Sequence, residues 1–172
     1  MINTPPILIF DRDGTLIRDT GYISNPADVH VTPFLPELIM GISKLPIKIG
    51  VISNQSGVGR GYFSKLSAEE VHLRFVSLYS TYGITFDFIK YCFHEPNFTC
   101  LCRKPKTGLV RNSAHNYLSH AKSIYVVGDK LTDEEFAVNL GGEFFLVQPT
   151  TTESDLIELG QNIVKWVSNV TK

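Results

Sequence analysis

Asp11-Arg12-Asp13-Gly14-Thr15 sets two carboxylates two residues apart at the end of a short apolar run, Ile7 to Phe10, with a glycine behind them. Two acids leaving a buried strand repel one another unless a cation or a proton settles the charge. Asp-x-Asp-Gly is also ordinary turn chemistry, and it opens a calcium loop. The calcium reading fails, because Thr15 to Tyr22 supply neither the glycine nor the closing glutamate such a loop requires. Further carboxylates follow another apolar run in Gly128-Asp129-Lys130-Leu131-Thr132-Asp133. Here Asp133 fits a helix N-cap and Asp129 is the better metal candidate. A hard cation such as Mg2+ takes few carboxylates and completes its shell with water and phosphate oxygens. Asp11 and Asp129, with a backbone carbonyl from Asp13, meet that demand.

All three cysteines lie in one short span: Cys92-Phe93-His94, then Cys100-Leu101-Cys102. An odd count packed so closely is a poor disulfide framework. Three thiolates and one imidazole match a closed, tetrahedral, structural zinc site, with buried free thiols as the alternative. Ligands at i and i+2 can bridge one metal from an extended segment. Binding worth on the order of 10 kcal/mol would order a 92–102 loop that has little core of its own. Arg103 and Lys104 follow the last ligand directly. They are solvated surface in the ordinary case, and a phosphate clamp if held rigidly near the carboxylates. Ser53-Asn54-Gln55-Ser56-Gly57-Val58-Gly59-Arg60-Gly61 offers hydroxyls, amides and backbone N–H groups to an anion, or else is a flexible connection.

These groups need a scaffold that brings them to one edge. Ile7–Phe10, Lys48–Ile52, Phe86–Tyr91, Ser123–Val127 and Glu143–Val147 read as strands. Ser67-Ala68-Glu69-Glu70 has the form of a capping box, and Val71, Phe75, Leu78 and Tyr82 behind it share a helical face. Leu156, Leu159, Ile163, Trp166 and Val170 repeat the pattern near the C-terminus. Helices are also expected over 106–120 and 133–140, the latter stopped by Gly141-Gly142. Strands alternating with helices give a parallel sheet covered on both faces, whose ligands bind beyond the strands' carboxyl ends.

At 172 residues the chain is expected to form a single domain over 1–172, without repeats or a Pro/Gly/Ser linker. Sixteen Lys and Arg against seventeen Asp and Glu leave a formal charge of −1, so no global basic field exists to hold nucleic acid or an anionic membrane. Met1 to Pro6 carries no basic leader pattern, and no later run reaches the ~18 apolar residues of a membrane span, which points to a cytoplasmic protein.

Taken in order, Asp11-x-Asp13-Gly14-Thr15, Ser53, Lys104 and Gly128-Asp129 with Asp133 resemble the four motifs of the haloacid dehalogenase-like phosphotransferases. The match spans roughly residues 7 to 147. The zinc loop is similar to that of the branch holding the heptose bisphosphate and histidinol-phosphate phosphatases. Asp19-Thr20-Gly21-Tyr22 and Asn54-Gln55-Ser56 with the Arg60-Gly61 that follows resemble substrate loops of the heptose enzymes. Phe93 stands where that pattern has proline, and the short gap from His94 to Cys100 also occurs in the histidinol-phosphate group.

The resemblance implies a three-layer Rossmann-like α/β fold without a cap, and Mg2+-dependent phosphomonoester hydrolysis of a small phosphorylated metabolite, a sugar bisphosphate, by a monomer. It makes Asp11 the nucleophile, Asp13 the acid and base, and Ser53 and Lys104 the phosphoryl clamp. It also implies Mg2+ on Asp11, Asp13 and Asp129, and structural Zn2+ on Cys92, His94, Cys100 and Cys102. Asp19, Thr20, Gly21, Tyr22, Asn54, Gln55, Ser56 and Arg103 would contact substrate, and Lys130 would pair with Asp11 or a phosphate oxygen. A polynucleotide phosphatase shares these motifs but needs a basic groove, which the near-neutral charge does not supply. A zinc-stabilised binding module without catalysis would lack one of the reactive residues, and none is missing.

Overall fold

Four apolar residues between a proline pair and Asp11 have no polar face to show, and β1 (Ile7–Phe10) is buried at every position. The computed structural model describes residues 4–171; Met1–Asn3, where the reading for a leader begins, and Lys172 lie outside the described residues. After β1 come a single 3-10 turn (Pro26–Asp28), α1 (Leu35–Ile42), β2 (Lys48–Asn54), the one-turn α2 (Ser56–Gly59) and α3 (Lys65–Ser80). Then follow β3 (Phe88–Cys92), the short turns α4 (Gly108–Arg111) and α5 (Asn116–Ser119), β4 (Ile124–Gly128), α6 (Leu131–Leu140), β5 (Glu143–Leu146) and α7 (Glu153–Val170).

The strands form one parallel sheet in the order β3-β2-β1-β4-β5. Phe10 registers with Val51 on one side and Val127 on the other, so Asp11 and Asp129 leave neighbouring strands at the same edge. Side chains alternate across a strand, and β1 feeds two cores. Leu8 and Phe10 pack with α1, α3 and α7, whereas Ile7 and Ile9 pack with α4, α5 and α6. This is the three-layer arrangement anticipated, and between β1 and α1 the chain carries only loop, a 3-10 turn and isolated bridges, not a folded cap.

Several local expectations change. The cap of α3 is Ser64, whose side chain accepts from Ser67 N–H, one turn earlier than the Ser67 box. The buried stripe is accordingly Ala68, Val71, Phe75 and Tyr79; Leu78 is half-buried and Tyr82 exposed. Near the C-terminus Val167, not Val170, completes the stripe. The single helix expected over 106–120 is two separate turns, because Ser113 accepts the His115 N–H through its hydroxyl and diverts the backbone from the helical ladder. α1 escaped notice because its N-cap is Phe34, in the left-handed conformation (φ 64°), so no polar cap residue announces it.

Candidate active site and zinc loop

The carboxyl edge of the sheet gathers charge around one buried cation. Lys104 Nζ lies 2.6 Å from Asp11 Oδ1 and 2.6 Å from Asp133 Oδ1, and all three side chains are almost sealed from water. Burial alone would lower the Lys104 pKa; the two carboxylates outweigh it and hold it above the usual lysine range. Asp133 is not the N-cap. That position is Lys130, whose backbone N–H donates to Asp133 Oδ2 at 3.2 Å, leaving the other oxygen to face Lys104. Burial also raises the Asp133 pKa, against the pull of Lys104.

Asp11, Asp129 and Asp133 each bring one carboxylate oxygen within 4.8 Å of the others. Asp129 Oδ1 is buried and accepts no hydrogen bond. Burial pushes this acid up to about 6, with Lys130 opposing and Asp11 and Asp133 reinforcing the shift. A buried, unpartnered oxygen among three acids suits a hard divalent cation. Gly14 makes the approach possible: it adopts φ 84°, and a Cβ there would overlap the Asp129 carboxylate. The Asp13 side chain stands outside this group of oxygens.

Asp13 is instead held by Arg12, which sequence reasoning passed over as the spacer between the two acids. Arg12 Nε and Nη2 each donate to Asp13 at 3.0 Å, and Nη2 also donates to Gln55 Oε1 at 2.8 Å. Gln55 Nε2 donates to both Asp13 Oδ2 and Ser53 Oγ. The guanidinium lies over the Tyr91 ring, 5.3 Å from its centroid. Tyr91 Oη is 2.9 Å from His72 Nδ1, and burial pushes the phenol up to about 12. Burial raises the Asp13 pKa, with Arg12 opposing and Asp11 adding to the rise. The signal available was electrostatic: an arginine directly after a buried strand needs a partner.

A cleft of about 370 Å³ opens over these groups. Of the expected substrate residues, Asp19, Gly21, Tyr22, Asn54, Gln55, Ser56, Arg103 and Lys130 line it, as do Asp11, Asp13, Ser53 and Lys104. Thr20 is exposed and does not. Ile23, Phe63 and Thr132 line the cleft without having been anticipated. Lys130 pairs with Asp19 at 3.1 Å and Asp129 at 3.4 Å rather than with Asp11, tying two loops together at the mouth. Asn54 spends its amide on the backbone: Nδ2 donates to Lys104 O at 3.1 Å and Oδ1 accepts from Lys104 N at 3.0 Å.

Beside the cleft, Cys92 Sγ lies 3.5 Å from His94 Nδ1, 3.9 Å from Cys100 Sγ and 3.3 Å from Cys102 Sγ, and His94 Nδ1 lies 3.2 Å from Cys102 Sγ. Tetrahedral ligands around zinc are separated by roughly 3.3–3.8 Å, given metal–ligand bonds of about 2.0–2.3 Å, so the donor set fits such an ion. Phe98 stacks flat on the His94 ring, centroids 4.6 Å apart and 5° between planes.

A parallel α/β sheet carrying an Asp-x-Asp pair, a strand-end serine, a buried lysine and a second acid pair at one edge defines a phosphoryl-transfer enzyme. The chain belongs to the haloacid dehalogenase-like phosphatases. A family model described as HAD-hyrolase-like matches residues 101–171. The chain is 34% identical over 151 residues to the D-glycero-beta-D-manno-heptose-1,7-bisphosphate 7-phosphatase of Pseudomonas putida, covering 87% of this chain and 86% of that one. It is 35% identical over 138 residues to the histidine biosynthesis bifunctional protein HisB of Blochmanniella floridana, covering 78% of this chain. There it spans only 39% of the longer protein. Among solved structures, the D,D-heptose 1,7-bisphosphate phosphatase of B. bronchiseptica, complexed with magnesium and phosphate, superposes with TM-score 0.78 at 25% identity, covering 93% of this chain and 98% of that one.

Proposed function

We propose that the chain removes the 7-phosphate of D-glycero-D-manno-heptose 1,7-bisphosphate. The observation that carries this reading is a cleft whose lining includes four side chains able to donate to phosphate oxygens. Lys104 and Ser53 lie at its floor and Arg103 and Lys130 line it as well, so a bisphosphate can be held by its reacting and its distal ends. The identity to heptose bisphosphate phosphatases along most of both chains supports the same substrate class.

Asp11 attacks phosphorus in line with the leaving oxygen, forming an aspartyl-phosphate as the phosphorus–oxygen bond to the sugar breaks. Asp13 gives its proton to the departing alkoxide; burial, by raising its proton affinity, favours the acid form that this needs. It then takes a proton from the water that attacks phosphorus and frees Asp11. Lys104 has three N–H donors; it donates to Asp11 and pairs with Asp133 at 2.6 Å, which leaves at least one for a phosphoryl oxygen. Ser53 Oγ accepts from Gln55, so its own hydroxyl proton is free for another. Asp11, Asp129, Asp133 and the Asp13 carbonyl would hold Mg2+, which when bound offsets the repulsion between the anionic ester and Asp11. Cys92, His94, Cys100 and Cys102 would hold a structural Zn2+ with no open position.

Phosphate release from a panel of heptose bisphosphate, hexose phosphates and histidinol phosphate, with and without Mg2+, tests the reading. A higher kcat/KM for histidinol phosphate overturns the sugar assignment. Asp11→Asn is expected to lose at least about three orders of magnitude in kcat; unimpaired turnover removes it as nucleophile.

A further inference from the structure

A fully buried arginine is costly unless its charge and its donors are matched. Arg12 is 2% exposed; its Nε and Nη2 edge donates to both oxygens of the Asp13 carboxylate, and Nη2 donates to Gln55 as well. Gln55 closes the ring by donating back to the same carboxylate. The result is a cyclic three-residue clamp, in which both Asp13 oxygens accept from groups on the protein side while the acid still lines the cleft. Behind the clamp, Tyr91 on β3 supports the guanidinium face and His72 on α3 fixes the Tyr91 hydroxyl.

We propose that Arg12, backed by Tyr91 and His72, is a positioning residue that sets the direction in which Asp13 presents its carboxyl group to the leaving oxygen of the substrate. This rests on the acid and base role given to Asp13 above. A lysine cannot do the same work, because its rotating ammonium lacks the rigid planar fork that meets both carboxylate oxygens at once and fixes the carboxylate plane. The arrangement also distinguishes the two acids of Asp-Arg-Asp: Asp11 is tied to Lys104, far along the chain, and Asp13 to its own neighbour and to Gln55. The nucleophile and the acid are thus oriented by separate cations.

The test uses leaving-group chemistry. A departing alkoxide needs a proton in the transition state, and a nitrophenolate does not. Because kcat/KM stops at the first irreversible step, it reports phosphoryl transfer to Asp11 without the later hydrolysis. For Arg12→Lys, kcat/KM toward an alkyl phosphate, whichever the wild-type turns over best, is expected to fall roughly tenfold to a hundredfold. Toward p-nitrophenyl phosphate it should stay within about threefold. Asp13→Asn is the reference and should show the same selectivity more strongly. Equal losses on both esters in Arg12→Lys, with selectivity retained in Asp13→Asn, overturn the positioning role alone. Equal losses in Asp13→Asn overturn the acid assignment, and the proposal with it. Should Arg12→Lys fail to fold, Tyr91→Leu removes the support and is expected to show a smaller selective loss, whereas Tyr91→Phe keeps the ring, loses only the bond to His72, and should show a selective loss smaller still. A Tyr91→Leu protein unchanged on the alkyl ester also overturns the proposal.

Discussion

The carboxylate cluster and the zinc loop touch, yet they are held by different physics. Asp11 and Asp129 leave β1 and β4, strands buried along their whole length and hydrogen-bonded to neighbours on both sides. Their positions follow from sheet register and core packing. The chain from Phe93 to Pro105 has no regular structure, and Phe98 and Leu101 are 53% and 71% exposed. It is located by the cluster that His94, Cys100 and Cys102 form with Cys92 at the end of β3, by Lys106 Nζ donating to Cys100 O at 2.7 Å, and by the Asn54–Lys104 pair. A close seat against α2 adds to this, where a Cβ on Gly59 would overlap the Phe93 carbonyl. The loop nevertheless delivers Lys104, 4% exposed, into the buried part of the site. A half held by sheet register and a half gathered around four Cys and His donors therefore share one ion-paired triad, and the triad is where the difference between them should show.

Removing the shared cation is the severest test. Lys104→Met leaves Asp11 and Asp133 buried without their partner, which costs about 3–5 kcal/mol when a buried charge is stranded. Urea denaturation in the absence of Mg2+ should show that loss, together with a fall in kcat of roughly a hundredfold or more. A stability unchanged within error would mean the acids find another partner, and the triad would not be the joint between the halves.

Zinc removal should separate them. After chelation, or in Cys102→Ser, the sheet and its acids keep their register while the loop loses its fixed points. Activity is expected to fall at least about tenfold through displacement of Lys104, with little change in far-UV circular dichroism. Global unfolding on chelation would erase the distinction, because the loop would then be supporting the sheet.

The carboxylate half has its own signature in pH. Asp129 titrates near 6 in the folded, metal-free protein, above the ordinary value of 3.8 for aspartate. The folded state therefore binds the proton more tightly than the unfolded state. Its contribution to stability is present at low pH and is lost as pH rises through about 6. Mg2+ competes for the same oxygen, so the gain in Tm on adding Mg2+ should grow by a few degrees between pH 5 and pH 7. The Asp129→Asn variant should flatten that growth, whereas a zinc-depleted protein should keep it.

How much of this was legible beforehand divides along the same line. The strands and the acids after them were readable because an apolar run ending in Asp is a local pattern, and local pattern decides what a buried strand exposes at its end. The clustering of Cys92, His94, Cys100 and Cys102 was readable from composition and spacing. Arg12 and the true role of Asp133 were not, because each is defined by a partner far away in sequence: Gln55 and Tyr91 for the one, Lys104 for the other. The helix starts at Leu35 and Lys65 failed for a different reason, since an uncapped start and two serines three residues apart leave the boundary to tertiary packing.

Asn54 gives the finest discrimination. The sequence offered it as a substrate ligand, but its amide oxygen and one amide hydrogen are committed to the Lys104 backbone. It is thus the link by which β2, in the half held by sheet register, holds the last residue of the donor-bearing segment that matters for chemistry. Asn54→Ala removes two hydrogen bonds of about 1 kcal/mol each and no zinc ligand. Zinc content, measured by mass spectrometry, should stay at the wild-type level while kcat falls roughly fivefold to tenfold, with KM changed less than kcat. A rise in KM alone would return Asn54 to the substrate, and loss of zinc would show that β2 shapes the metal site rather than borrowing order from it.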